Sequence, residues 1–174
     1  DEEFRLEFIN TSLSSSEVAA LEAKKEIIRM GAYVTKMSGF VESLMVEKDE
    51  KKREKLMKKL EAYEEVSDRL EEEVSDFLSK VSKLEQSSTS SASIQMMLGL
   101  VHDLENIADI FVTMGSVIIN KNKKKIWFTP EQREKLSDLF GLVKDSLKVM
   151  NQNLTKWNVN DEDVARAEAA EIAV

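Results

Sequence analysis

An all-α, up-and-down antiparallel helical bundle is the fold class that this 174-residue sequence predicts, and three observations predict it. The chain has one proline and five glycines, so it offers few places where a long helix would have to end. Apolar residues recur at steps of three and four over long stretches, which is the spacing of one helical face. Aromatic residues make up only 6% of the chain, which disfavours a β-sandwich or barrel.

Apolar spacing and capping signals define the individual elements. Ser14 and Glu17 stand in capping-box spacing before the first helix, and Thr129, Pro130 and Gln132 form a strong start for the fourth. The segments 47–53 and 87–93 are expected as a charged turn and a serine-rich loop, and a fifth helical pattern follows Asp161. The four predicted helices cover residues 17–46, 52–84, 93–121 and 130–157.

The predicted core follows the apolar stripes of these helices. Its expected centre lies on the second and third helices and contains Leu70, Phe77, Val101, Leu104 and Phe111. The stripe of the first helix is expected to contain Val18, Leu21, Ile28, Ala32, Met37, Val41, Leu44 and Met45.

Composition excludes several classes of function. A formal net charge of −8 argues against a nucleic-acid binder, and the absence of cysteine removes disulfides and thiolate metal sites. No apolar run approaches the roughly 20 residues that a membrane span needs, and there is no signal peptide. The chain begins at Asp1 without an initiator methionine and ends within a helical pattern, so we expect a fragment of a longer protein.

Two acidic motifs with a spacing of four residues are the most informative local feature. Glu64 and Asp68 lie on the second predicted helix, and Glu105 and Asp109 lie on the third. Residues four apart share one helical face, where like charges repel. Asp68 stands 18 positions before Gln86 in the intervening loop and Glu105 stands 19 after it. The two motifs should therefore fall at one level of an antiparallel pair.

These acidic groups should lie on the outer or flanking surface. At about 100° per residue, Asp68 and Glu72 point roughly 160° from the direction of Leu70, and His102 points about 160° from Leu104. A di-iron carboxylate bundle needs inward ligands and Glu-x-x-His motifs, so that enzyme class is disfavoured. Two interpretations stay open: an ordinary solvated acidic face, and a cation site of carboxylates to which Glu72 and His102 could add ligands.

A basic and aromatic turn precedes the fourth helix. It runs from Lys121 to Phe128 and contains four lysines beside Ile126 and Trp127. Its aromatic residues are expected to cap the end of the bundle. The alternative is contact with anionic lipid headgroups or with an acidic partner surface.

Four segments together resemble the PhoU-like domain at the cytoplasmic C-terminus of bacterial sodium/phosphate cotransporter-family proteins. They are FRLEFINTSLSSSEVAALEAKKEIIRMG, EEVSDRLEEEVSDFL, DLENIADI and KIWFTPEQREKL. The first is similar to the segment that follows the last membrane helices of those proteins. The third departs from the usual Asp-Leu-Glu-Arg-Ile-Gly-Asp at Asn106 and Ala108.

The resemblance implies tandem three-helix bundles. Residues 1–16 would be a lead-in from an upstream membrane region, 17–125 the first bundle, and 126–174 the truncated start of a second. It also implies a surface metal cluster, divalent or of iron or zinc, held by Glu64, Asp68, Glu105 and Asp109. The expected partner is the transmembrane transporter domain of the same chain, with homo-oligomers and membrane contact as further expectations.

The function that this resemblance implies is regulatory. It is a regulatory or accessory domain of a sodium-dependent phosphate transporter, at the cytoplasmic face of the inner membrane. The alternatives are a free-standing PhoU-type regulator of phosphate uptake and a purely structural interaction module. A metal-dependent enzyme is disfavoured, because the sequence shows no nucleophile–base pair and no glycine-rich phosphate loop.

Overall fold

The computed structural model describes Ile9 and residues 16–83 and 88–156. Within these residues there is no strand, and about 91% of them are helical. The four helices are α1 (Ser16–Val46), α2 (Glu50–Val81), α3 (Ser88–Lys123) and α4 (Pro130–Lys156). Helices α1, α2 and α3 pack against one another pairwise, and α4 packs against α1. The predicted all-α, up-and-down bundle is thus confirmed.

Some sequence predictions fall outside the described residues. The lead-in predicted over residues 1–16 is described only at Ile9 and at Ser16, where α1 begins. The Ser14 cap and the fifth helix after Asp161 lie wholly outside the described residues. Among the described helices, none is both long enough and apolar enough to cross a membrane.

Helix α2 begins earlier than predicted. The expected turn over 47–53 is confined to residues 47–49, because the Asp49 side chain accepts a hydrogen bond from the Lys52 backbone N–H at 2.9 Å and caps the helix. Arg53 Nη1 then donates to the Glu47 and Lys48 carbonyls at 3.1 and 2.9 Å. Asp49 and Arg53 are therefore part of the joint between α1 and α2.

Helix α3 also begins earlier than predicted, at Ser88. The serine cluster was expected to be a loop, but most of it forms the first turns of the helix. Serine is only modestly poorer than alanine as a helix former, by about 0.5 kcal/mol per residue. Ser93 and Ile94 are buried where the cluster ends, so packing fixes the helix there, and the small cost allows the helix to continue back to Ser88.

The predicted stripe of α1 is wrong at two of its residues, Leu21 and Ala32, whereas Ile28 packs against the core as expected. Leu21 is 48% exposed and Ala32 is exposed. The stripe fails because α1 packs against three helices and is buried on more than one side. Small side chains let the neighbouring helices approach it closely. The apolar residues buried along α1 are Ala19, Ala20, Ala23, Ile27, Met30, Tyr33, Val34, Met37, Val41 and Leu44.

The predicted centre of the core is confirmed. Its five residues belong to one buried cluster and none is more than 8% exposed. They join α2 to α3, so the spacing of these two helices is set by apolar packing. The five are Leu70, Phe77, Val101, Leu104 and Phe111.

The turn from α3 to α4 is closed by backbone and side-chain hydrogen bonds. The Thr129 and Gln132 side chains each accept a hydrogen bond from the other residue's backbone N–H, at 3.2 and 2.9 Å, which is the predicted capping box. Lys125 has φ 55° in the left-handed region, and the Ile126 N–H bonds to the Lys121 carbonyl at 3.1 Å. These features match a Schellman ending of α3.

We expect Leu104→Ala to lower the free energy of unfolding by about 2–5 kcal/mol, because it removes a buried side chain and leaves a cavity. Urea denaturation measures the change. Ile110→Ala is the matched control on the same helix, since Ile110 is 56% exposed and its truncation should change stability by about 0.5 kcal/mol or less. Equal losses in the two variants would show that the α3 stripe is misassigned.

Candidate functional site

The acidic motifs line the groove between α2 and α3. Glu64 and Glu105 are half-buried, whereas Asp68 and Asp109 are exposed. Each motif spans one turn of its helix beside the α2–α3 core, so its position is fixed by the packing beneath it. We call the groove that carries Glu64, Asp68, Glu105 and Asp109 the acidic groove.

The four carboxylates act on one another across the acidic groove. Partial burial raises the pKa of Glu64, and the charges of Asp68 and Asp109 raise it further. Burial also raises the pKa of Glu105, and Asp109 and Asp68 are among the charges that add to it. The pKa of each glutamate is therefore raised by the charge of one aspartate on its own helix and of one aspartate on the facing helix. The two motifs thus act on each other across the groove, but among the described residues only Glu105 of the four belongs to a group of three donors close enough to share one metal ion.

His102 and Glu71 extend the cluster along the groove. His102 Nδ1 lies 3.0 Å from Glu71 Oε1, where a protonated Nδ1 donates to the carboxylate. This hydrogen bond raises the pKa of His102; desolvation opposes the rise, and the charges of Glu71 and Glu105 add to it. One donor atom from each of Glu71, His102 and Glu105 lies within 4.8 Å of the other two.

Glu71 is a site residue that the sequence analysis missed. Glu72, which was predicted in its place, lies on the exposed surface of α2. The sign of the helical angle distinguishes the two. Relative to Leu70, Glu71 lies at about +100°, on the same side as Asp68 at about +160°, whereas Glu72 lies at about −160°. Keeping that sign would have selected Glu71.

The donors in the acidic groove suit a hard or borderline cation. Carboxylate oxygens bind hard cations, and one imidazole nitrogen beside them widens the choice to metals such as zinc or iron. Burial contributes most to the raised pKa values of Glu64 and Glu105, and repulsion from the neighbouring carboxylates adds to it. A bound cation would replace that repulsion with attraction. The residues present thus fit a metal ion in chemistry and in charge.

Residues 27–118 match the PhoU domain family. The match covers more than half of the chain and includes both acidic motifs, so the chain belongs to this family. Comparison with curated proteins gave no match, and comparison with solved structures gave none either. PhoU domains are regulatory, non-enzymatic helical domains, and membership indicates a regulatory role related to phosphate.

In the metal-free protein, Asp109→Asn should stabilise the fold near neutral pH. The folded-state pKa values of Glu64 and Glu105 are raised, so the folded state binds more protons than the unfolded state above the ordinary pKa. Stability is therefore lost as pH rises through that range. Removing the Asp109 charge reduces this loss of stability. The repulsion between Asp109 and Glu105, four residues apart on α3, accounts for about 0.2–0.5 kcal/mol of it.

Urea unfolding with a chelator present, at neutral pH and again below the ordinary pKa of glutamate, measures this effect. The gain should disappear at the lower pH, where the carboxyls are protonated. Asp145→Asn on α4 is the control for loss of one negative charge. If Asp109→Asn is no more stable than this control at neutral pH, the repulsion is absent.

Proposed function

We propose that this PhoU domain is a cytoplasmic regulatory domain of a sodium-dependent phosphate transporter and that it binds cations in the acidic groove. The observation that carries the proposal is the family match over both motifs, together with their convergence on one groove. The resemblance of the lead-in to the segment after the membrane helices of such transporters favours the transporter context. The proposed location is the cytoplasmic face of the inner membrane, and the proposed partner is the membrane domain of the same chain.

The proposed ligands are the four motif carboxylates together with Glu71 and His102. A bound divalent, iron or zinc ion would supply positive charge and draw the carboxylates of both helices together. Glu71 holds the His102 ring through Nδ1 and so fixes the direction of the imidazole.

The packing of the bundle provides a route from the acidic groove to the rest of the domain. A change in the approach of α2 to α3 would act on the core that these helices share with α1. Helix α1 in turn packs against α4, where the Asn151 side chain donates a hydrogen bond to Thr35 Oγ1. We infer that cation binding is relayed through α1 to α4 and from there to the partner.

The surface of α4 supports a second helical repeat that starts at residue 126. One face of α4 packs on α1 through Phe140, Leu147 and Leu154. A neighbouring face exposes Leu139 and Leu142, at 55% and 66%. A helix with two apolar faces suits the position between two bundles. We therefore propose that further helices of a tandem repeat cover this second face.

Metal analysis tests the proposed cation site. We expect the chain, purified without chelator and without a histidine tag, to contain metal that Asp68→Asn, Asp109→Asn loses. The double variant Asp138→Asn, Asp145→Asn is the control, because it makes the same charge change on α4. Equal metal content in wild type and the motif variant would show that the acidic groove does not bind the metal, whatever the domain regulates.

Phosphate uptake by the full-length transporter tests the regulatory role. Deleting this domain should change how uptake depends on external phosphate, because the membrane domain would lose its regulator. Asp68→Asn, Asp109→Asn should reproduce that change, whereas the α4 control should not. Identical uptake with and without the domain across phosphate concentrations would refute regulation of transport. It would leave the free-standing regulator as the better reading of family membership.

A further inference from the structure

One end of the bundle combines two turns. In an up-and-down bundle, the α1–α2 turn at 47–49 and the α3–α4 turn at 124–129 lie at the same end. The two turns are adjacent, since Lys48 and Trp127 line one cavity of about 550 Å³ between them. We call this end, residues 46–59 and 120–135, the basic tip.

The basic tip has the opposite charge to the rest of the chain. Residues 46–59 contain seven Lys or Arg against four Asp or Glu, and residues 120–135 contain six against two. The tip thus has a surplus of seven positive charges in a chain whose formal net charge is −8. A field of this kind attracts anionic surfaces to one end of the molecule.

The basic tip also exposes large apolar side chains. Val46 is 74% exposed, Ile126 52% and Trp127 73%. Val46 ends α1 just before the first turn, and the other two lie in the second turn, so the apolar surface extends across the end of the bundle. Trp and apolar residues beside lysine are typical of protein surfaces that lie at the headgroup level of a membrane.

The α3–α4 turn holds these side chains in place. Lys121 Nζ donates to the Ile126 carbonyl at 3.3 Å and lies 5.6 and 4.8 Å from the ring centroids of Trp127 and Phe128. The Schellman hydrogen bonds fix the backbone before Ile126. The exposure of Trp127 is therefore a property of an ordered turn, and little conformational entropy is lost when the turn meets a partner.

We propose that the basic tip docks on the surface of an anionic lipid bilayer. Trp127 and Ile126 enter the headgroup region, and the lysines contact lipid phosphates. This interaction surface goes beyond the proposed function and does not depend on metal or on the transporter.

A lipid surface fits the basic tip better than an acidic protein does. A stable protein interface buries roughly 800 Å² on each partner and has a core that is depleted of charge. The tip instead surrounds a few apolar side chains with lysines drawn from two turns. Long lysine side chains can leave apolar groups in the interface while their ammonium groups stay among the phosphates.

Vesicle sedimentation with the full chain tests the proposal. The protein should bind vesicles of phosphatidylcholine mixed with phosphatidylglycerol and should not bind phosphatidylcholine alone. Added salt should weaken the binding. Each lysine near an anionic surface contributes about fivefold, so Lys123→Gln, Lys124→Gln, Lys125→Gln should weaken binding about a hundredfold.

A matched variant separates the tip from overall charge. Lys80→Gln, Lys83→Gln, Lys156→Gln makes the same charge change at the C-terminal ends of α2 and α4, at the other end of the bundle, and should bind the mixed vesicles as wild type does. Thermal unfolding of both triple variants checks that each is folded. Equal weakening by the two triple variants would overturn the assignment to the tip.

Fluorescence of Trp127 gives a second readout. Trp157 is the other tryptophan, so Trp157→Phe leaves Trp127 as the only one. Its emission should shift to shorter wavelength on the mixed vesicles, and Trp127→Ala should weaken sedimentation of the chain with them. Failure of the wild type to bind the mixed vesicles, as expected for a tip that recognises an acidic protein, would overturn the proposal. Binding without a shift in emission would overturn the insertion of Trp127.

Discussion

Apolar packing between α2 and α3 is the interaction on which the acidic groove depends. Burying one large apolar side chain contributes about 1.5–3 kcal/mol, whereas a like-charge pair on a helix surface costs about 0.2–0.5 kcal/mol. The residues around Leu70 and Leu104 therefore hold the two helices together although Glu64 and Glu105 face other carboxylates across the groove. The charge repulsion remains in the folded protein, and a cation can relieve it.

This arrangement places two electrostatic surfaces on one bundle. The acidic groove lies along α2 and α3, and the basic tip lies at the end where both turns meet. Helix α1 packs against the other three helices, so it connects the core beneath the acidic groove with α4. A regulatory domain with this organisation could pass a change in the approach of α2 to α3 through the shared core to α1 and α4. Family membership, the acidic groove and the position of α1 together support that interpretation.

Sequence reasoning succeeded where one strong local rule decides the outcome. Thr129 and Gln132 fit a capping box, and the steps of three and four on α2 define a single buried face, so both were predicted. It failed where tertiary packing decides. Helix α1 is buried on several sides, which no single stripe describes, and the serines from Ser88 continue a helix that packing fixes at Ser93 and Ile94. Glu71 was missed for a different reason. The size of the helical angle was used for Glu72, but its sign, which gives the side of the helix, was ignored.

Thermal unfolding with and without added cation tests the central claim most directly, that packing holds repelling carboxylates in place for a cation to neutralise. The comparison is wild type against Asp68→Asn, Asp109→Asn, first with chelator and then with Mg²⁺, Mn²⁺ or Zn²⁺ in excess. With chelator, the double variant should unfold at the same temperature as wild type or higher. With a cation that binds, the midpoint of wild type should rise above that of the variant. Equal rises in both proteins, or no rise in wild type with any of the three ions, would contradict the account.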